Sequence, residues 1–494
     1  METQDTKRNI IIIFSVILSI LVVYTVVFSV LFTNKAREAA RAGSRGRLHA
    51  TASRGRLHGG ERGRYADALA AENAKGTEET PADGTRIAAV QNRLVRQPLV
   101  TPIGNGQDTV TIMIYMNGSN LETDYGFATD DIREMLKAPY SDRVNIVIET
   151  LGTQEWQKFG IANDHTQRWL LQEDDLLLAD DSLRQLDCTV PETLSDFITW
   201  SAANYPADRY FLILWDHGGG AVDGFGWDQF QNYNAALTID EMQTALKESG
   251  VLFDFIGMDA CIMSSIEICY ALYDYCDYCI LSEDFESALG WSYEGWLTAL
   301  TENTSLDTVS LATILIDDMV YANQKSHDGD SSTLALIDER YIPSAFESWM
   351  NFAYANEAAL LTTNFSREVA RTGRALPRVS SDLTEYYITD MLAMAVSIDS
   401  KLTKGLVSRL AAAVAYYNCT DDNIGLTGLS VTLPYGDNRF YHSLEKVYAN
   451  VGIDKRYVEW LSKFLVEYDG SEYYDYDEFN ESWNCWDNLD ELVN

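Results

Sequence analysis

Two side chains in this sequence stand where they could make a nucleophile and its base. Trp215-Asp216-His217-Gly218-Gly219-Gly220 closes one apolar run, and Met258-Asp259-Ala260-Cys261 closes another. Both runs, at 210–215 and 255–258, have the length and bounding turn residues of strands buried on both faces. Each puts one reactive group just past its end, where open α/β sheets hold their ligands. A thiolate attacks a carbonyl carbon, a thiol barely does, and a neighbouring imidazole can take the thiol's proton. His217 could then hand that proton to a leaving amine. The glycines after His217 let a substrate backbone approach and leave N–H groups free for an oxyanion. Residues 262–272 hold no Gly or Pro and read as helix, which predicts Cys261 at the positive end of that helix. Taken singly, a free Cys is more often a small core hydrophobe, and a His after a strand a satisfied turn residue. Together, with glycines behind one and a helix behind the other, they favour catalysis.

The same two segments, in this order, resemble the clostripain-like cysteine peptidases, a family with the caspase-like fold. The resemblance runs from about residue 109 to about residue 465. It includes Ile114-Tyr115-Met116-Asn117-Gly118-Ser119-Asn120-Leu121-Glu122 as a first strand and turn. It also includes Ser282-Glu283, Gly290-Trp291-Ser292-Tyr293, and Gly428-Leu429-Ser430-Val431 leading to Pro434. The resemblance implies a cysteine endopeptidase with His217 and Cys261 as its dyad and a thioacyl-enzyme intermediate. It puts the backbone N–H groups of Gly218 and Cys261 in the oxyanion hole. It puts Asp259 in the pocket for the residue before the cleaved bond, where the family usually accepts Arg or Lys. Glu283, Asp284 and Glu286 all stand where a second acidic wall is expected. Relatives are often cut at a basic residue in the loop after the catalytic His. Here nothing from Gly218 to Leu246 is Lys or Arg, so the body is expected to stay one chain.

The elements that must position these groups alternate. Strands are predicted at 110–116, 144–149, 210–215, 255–258, 278–281 and 333–337, with helices at 130–136, 191–203 and 239–248 between the early ones. This order predicts an α/β fold: a mainly parallel sheet flanked by helices with right-handed crossovers. The chain after residue 341 reads as mostly helical. The expected divisions are a short tail (1–9), a transmembrane helix (10–32), an Arg/Gly/Ala-rich linker (33–100), the peptidase domain (109–466) and an acidic aromatic tail (467–494). The 10–32 run is almost unbroken apolar, and 23 residues at about 1.5 Å each span a bilayer core. The linker repeats Ser44-Arg45-Gly46-Arg47-Leu48-His49 as Ser53-Arg54-Gly55-Arg56-Leu57-His58 and lacks apolar clusters, as disordered segments do. Its arginines are the exposed places for any cut at a basic residue. Positive charge is heavier after the apolar run than before it, which alone would hold the body in the cytoplasm. The family is typically exported, and a single-pass anchor with the body outside the cell is the expectation.

Charge divides the chain sharply. Residues 1–100 carry 15 Lys and Arg against 9 Asp and Glu, and the rest carry 22 against 65. A body that acidic is a poor nucleic-acid binder and suits basic protein or peptide substrates. Seven Cys in a chain of 494 residues are no disulfide scaffold. Cys276-Asp277-Tyr278-Cys279 has metal spacing but no second pair, and reads as residues entering a strand. His165, His327 and His442 have no ligand spacing to another His. No cofactor is expected; the acidic tail could attract calcium but carries no motif for it. Two alternatives stand beside the peptidase. One is an esterase using the His217-Gly218-Gly219-Gly220 turn, which would need a Gly-x-Ser-x-Gly elbow that the chain lacks. The other is a catalytically idle, membrane-tethered binding module.

Overall fold

The computed structural model describes residues 95–465, except 174, 232–234, 326–330, 362–387, 399, 424–425 and 435–437. The apolar 10–32 run, the arginine repeats and the acidic tail lie outside the described residues. Among the described residues no helix is long and apolar enough to cross a membrane. The described residues all fall in one compact unit.

A nine-stranded sheet forms the frame, in the order β10-β8-β7-β6-β5-β1-β2-β3-β4. Its strands are β1 (Val110–Asn117), β2 (Val144–Leu151), β3 (Gln167–Gln172), β4 (Asp175–Asp180), β5 (Arg209–Trp215), β6 (Phe253–Asp259), β7 (Cys276–Leu281), β8 (Thr333–Asp338) and β10 (Val414–Cys419). The five central strands, β7-β6-β5-β1-β2, run parallel. The flanking pairs β2–β3, β3–β4, β7–β8 and β8–β10 are antiparallel. A small separate sheet pairs β9 (Ile388–Asp390) with β11 (Ser430–Thr432).

The central strands are apolar throughout because both faces are covered. Val110, Ile112, Ile114 and Met116 of β1 and Phe211, Ile213 and Trp215 of β5 pack into one cluster with the Tyr293–Glu302 and Thr308–Gln324 helices. The other face of β1 carries Tyr115, whose ring lies 6.0 Å from Phe197 of the Pro191–Asn204 helix. The amino ends of β5 and β6 are pinned together by a buried ion pair. Arg209 Nε donates to Asp254 Oδ2 at 2.5 Å, and Arg209 Nη1 donates to the carbonyls of Thr304 and Leu306. A buried guanidinium is tolerable only with its donors satisfied in this way. Removing one partner would strand a charge, so the pair specifies register at the end of the strands away from the site.

Among the described residues the chain after residue 341 is mostly helical, as expected, but it also supplies β10, which inserts beside β8 in the main sheet. The β3–β4 hairpin extends the other edge, and its Arg168 is buried against Glu149 at 2.6 Å. Cys276 and Cys279 do enter β7, with their sulfurs 3.6 Å apart in the core.

Candidate active site

Trp215 and Asp259 are register partners at the ends of β5 and β6. His217 and Cys261 each lie two residues past these partners. The Asp216 N–H still reaches the Asp259 carbonyl at 3.4 Å. The next step is closer still. A Cβ added to Gly218 would lie 2.0 Å from the Cys261 carbonyl oxygen, so only glycine lets the two strand ends touch here. His217 and Cys261 are both partly exposed.

His217 is held from two sides. Its Nε2 lies 2.9 Å from Asn120 Oδ1, and its ring stacks on Trp227 with centroids 4.2 Å apart. Burial pushes its pKa down to about 4, which keeps the imidazole neutral. The residue before it, Asp216, is buried and accepts from Ser119 Oγ at 2.7 Å and from the Trp227 N–H at 2.6 Å.

Cys261 sits in a turn, not at a helix start. The helix begins at Ile266, with Ser265 as its N-cap: Ser265 Oγ accepts from the Ile268 N–H. Ile262 takes a left-handed φ of 52°, and the Ser264 carbonyl accepts from the Ser430 N–H of β11. The helix dipole therefore gives the thiol little help. Its sulfur accepts from the Glu286 N–H at 3.3 Å. Burial, then the Glu286 charge, with smaller contributions from Asp284 and Asp259, push the thiol up to about 12. The N–H groups of Gly218 and Cys261 have no hydrogen-bond acceptor among the described residues, whereas that of Gly219 is taken by the Gly224 carbonyl at 2.7 Å.

Asp259 is 5% exposed. Its Oδ2 accepts from the Trp291 N–H at 3.2 Å and from Tyr293 Oη at 2.9 Å, so these donors come from around the start of the Tyr293–Glu302 helix and not from the segment after Cys261. Burial raises its pKa to about 6. Asp131 closes in from the Phe127–Met135 helix, with Trp215 Nε1 donating to its Oδ2 at 2.7 Å. A Cβ on Gly290, at φ +61°, would lie 3.2 Å from Asp259 Oδ1 and 3.3 Å from Asp131 Oδ2. Burial and the Asp259 charge hold both Asp131 and Glu286 well above the usual carboxylate range. Of the three acids expected near the wall, Glu286 adjoins Asp259. Glu283 turns away, accepting from the Gly428 N–H at 2.7 Å. Asp284 accepts from the N–H of Phe285.

Asn120, Trp227 and Asp131 were not singled out from sequence. Asn120 ends an Asn-Gly-Ser-Asn turn after β1 and carried a turn signal only. Ser264-Ser265 before Ile266 is an N-cap signal that could have placed the helix start correctly.

The model of the clostripain family of C11 peptidases matches residues 114–488. Over 195 residues the chain is 28% identical to clostripain of Hathewaya histolytica, which is 34% of this chain and 36% of that protein's length. Its fold is similar to that of a secreted C11 cysteine protease from Bacteroides thetaiotaomicron, solved with an irreversible peptide inhibitor. There the TM-score is 0.53 at 18% identity, covering 70% of this chain and 99% of that one. It is also similar to an inactive zymogen C11 protease from Parabacteroides distasonis, with a TM-score of 0.52 at 20% identity, covering 71% of this chain and 99% of that one. At these identities the solved structures speak for the fold alone: a mostly parallel central sheet flanked by helices.

Proposed function

The chain belongs to the clostripain family of peptidases, and we propose that it is a cysteine endopeptidase cleaving after Arg or Lys, with His217 and Cys261 as its dyad. The observation that carries this reading is that both residues lie two positions past register partners at the carboxyl ends of adjacent parallel strands, with Gly218 packed against the Cys261 carbonyl.

The resting pair is a neutral imidazole and a protonated thiol, given burial on one side and burial with acidic neighbours on the other. Attack is therefore general-base assisted. As Sγ bonds to the scissile carbonyl carbon, its proton passes to His217. The carbonyl oxygen becomes an oxyanion that the free N–H groups of Gly218 and Cys261 can meet. The C–N bond breaks, the amine leaves with the proton from His217, and a thioester remains. Water then adds to the thioester carbon and gives a proton to His217. The C–S bond breaks, the thiol takes that proton back, and a carboxylic acid leaves.

Asp259, Asp131 and Glu286 support the basic specificity. Among the described residues none of the three is paired with a Lys or Arg. A buried carboxylate awaiting a cation discriminates strongly, because a neutral substrate leaves it unpaired. A guanidinium or ammonium there would also offset the charge that holds the Cys261 thiol up.

Cys261→Ala should abolish hydrolysis of a peptidyl-Arg amide with the unfolding midpoint unchanged. Hydrolysis that survives this substitution overturns the reading. The apolar 10–32 run would tether the enzyme to a membrane with its body outside the cell. Deleting residues 1–32 should release it from pelleted membranes, and an unchanged distribution would count against the anchor.

A further inference from the structure

We infer that Asn120 is a positioning residue that holds His217 with its proton on Nε2, leaving Nδ1 as the nitrogen that receives the thiol's proton. The inference rests on the cysteine-peptidase reading above. An amide oxygen can only accept, so the ring nitrogen 2.9 Å from Asn120 Oδ1 must carry the hydrogen. A neutral imidazole has one N–H, and the lone pair then belongs to Nδ1. The opposite tautomer would put the hydrogen on Nδ1 and leave no lone pair there to receive the thiol's proton.

What makes Asn120 more than a passing contact is how its turn is held. Asp216, next to His217 in sequence, accepts with one oxygen from Ser119 Oγ, beside Asn120. With its other oxygen it accepts from the N–H of Trp227, whose ring covers the His217 face. One buried carboxylate thus ties down both segments that touch the imidazole. The Ser119 carbonyl also accepts from Thr153 Oγ1 at 2.8 Å. Ser119 sits at φ 42°, a left-handed conformation that a residue with a Cβ adopts only when its surroundings enforce it. The turn after β1 is therefore built to put a polar side chain at this spot.

The test reads the tautomer directly and does not depend on turnover. Nitrogen NMR of the full chain, labelled with ¹⁵N-histidine and carrying Cys261→Ala against self-digestion, should show His217 as a single Nε2–H form. The signal is assigned by its loss in His217→Gln. Asn120→Ala should give a mixture of tautomers. Asn120→Asp, which keeps an acceptor oxygen in place, should preserve the Nε2–H form. In the Cys261 background, Asn120→Ala should lower kcat roughly tenfold or more with little change in KM, since a misassigned tautomer is costly to a general base. Asn120→Asp should restore most of that loss. An Nδ1–H form in the parent, or an unchanged kcat in Asn120→Ala, overturns the inference. Failure of the peptidase reading would appear separately, as hydrolysis persisting in Cys261→Ala whatever the tautomer.

Discussion

His217 is bracketed on its edge by Asn120 and on its face by Trp227, whereas Cys261 has one backbone donor at 3.3 Å and carboxyl groups around it. Both follow the carboxyl ends of adjacent parallel strands, yet the chain treats them in opposite ways. The base is neutral, oriented and braced. The thiol is held protonated, first of all by burial, with acidic groups around it. On the proposed reading, such a site would keep its nucleophile unreactive until a substrate brings both a carbonyl and a cation. Orientation is assigned to the β1 and β5 side, and control of reactivity to the β6 side and the loop after β7.

Four experiments would break or sharpen this contrast. The largest effect is expected at the seam. Gly218→Ala places a Cβ 2.0 Å from the Cys261 carbonyl oxygen and must push the two strand ends apart. Displacing reacting groups by about 1 Å costs roughly 10²-fold, and kcat/KM on a peptidyl-Arg amide should fall by that much or more. Overpacking should also lower stability by about 1–3 kcal/mol, read from the denaturant midpoint. A fully active variant would mean that the seam does not set the dyad.

Asp259→Asn addresses the cation. Turnover of Arg and Lys substrates should fall roughly 10²-fold, and that of matched neutral substrates far less. Equal losses on both series would return Asp259 to a purely structural role, bonding the Trp291 N–H and Tyr293 Oη.

Glu286→Gln addresses the thiol. Burial and the Asp259 charge hold the Glu286 carboxyl well above the usual carboxylate range, so it restrains the Cys261 thiol by charge only once it has ionised at alkaline pH. Removing it should leave the rate of iodoacetamide alkylation little changed at pH 7 and raise it several-fold at pH 10. An unchanged rate at both would show that the Glu286 charge does not restrain the thiol.

The smallest effect on catalysis is expected from processing. With no Lys or Arg between Gly218 and Leu246, a cut at a basic residue cannot fall in that stretch. Part of it is folded besides, with Phe225 and Leu237 exchanging backbone hydrogen bonds. N-terminal sequencing of the mature enzyme should find one chain, with any new end within residues 45–65 and absent in Cys261→Ala. Rates should be the same before and after release. A cut between His217 and Cys261 would overturn this.

Much of the centre could be read without coordinates. Strands β1, β2, β5, β6 and β7 are runs of apolar residues bounded by turns, and a run buried on both faces needs no partner to be recognised. The edges were harder. β3 begins Gln167-Arg168, and Arg168 is buried only because Glu149 of β2 lies opposite. β4 exposes Leu177 and Leu178 and keeps no clean alternation. β10 exists because β8 offers it an open edge, which no local pattern announces.

The chain's own order of residues determined the chemistry on offer. A thiol and an imidazole each follow a buried strand, glycines follow one of them, and no basic residue lies in the loop between Gly218 and Leu246. Those are local properties, set by composition and spacing over ten residues or so. Tertiary structure alone decided which of the three acids joins Asp259. Glu283, Asp284 and Glu286 lie within four positions, and the choice fell when Glu283 was drawn off by the Gly428 N–H, 145 residues away. It alone also brought Asn120 to His217 across 97 residues. A side chain's hydrogen-bond partner is a matter of distance in space, and in a parallel sheet strands adjacent in space are joined by long crossovers.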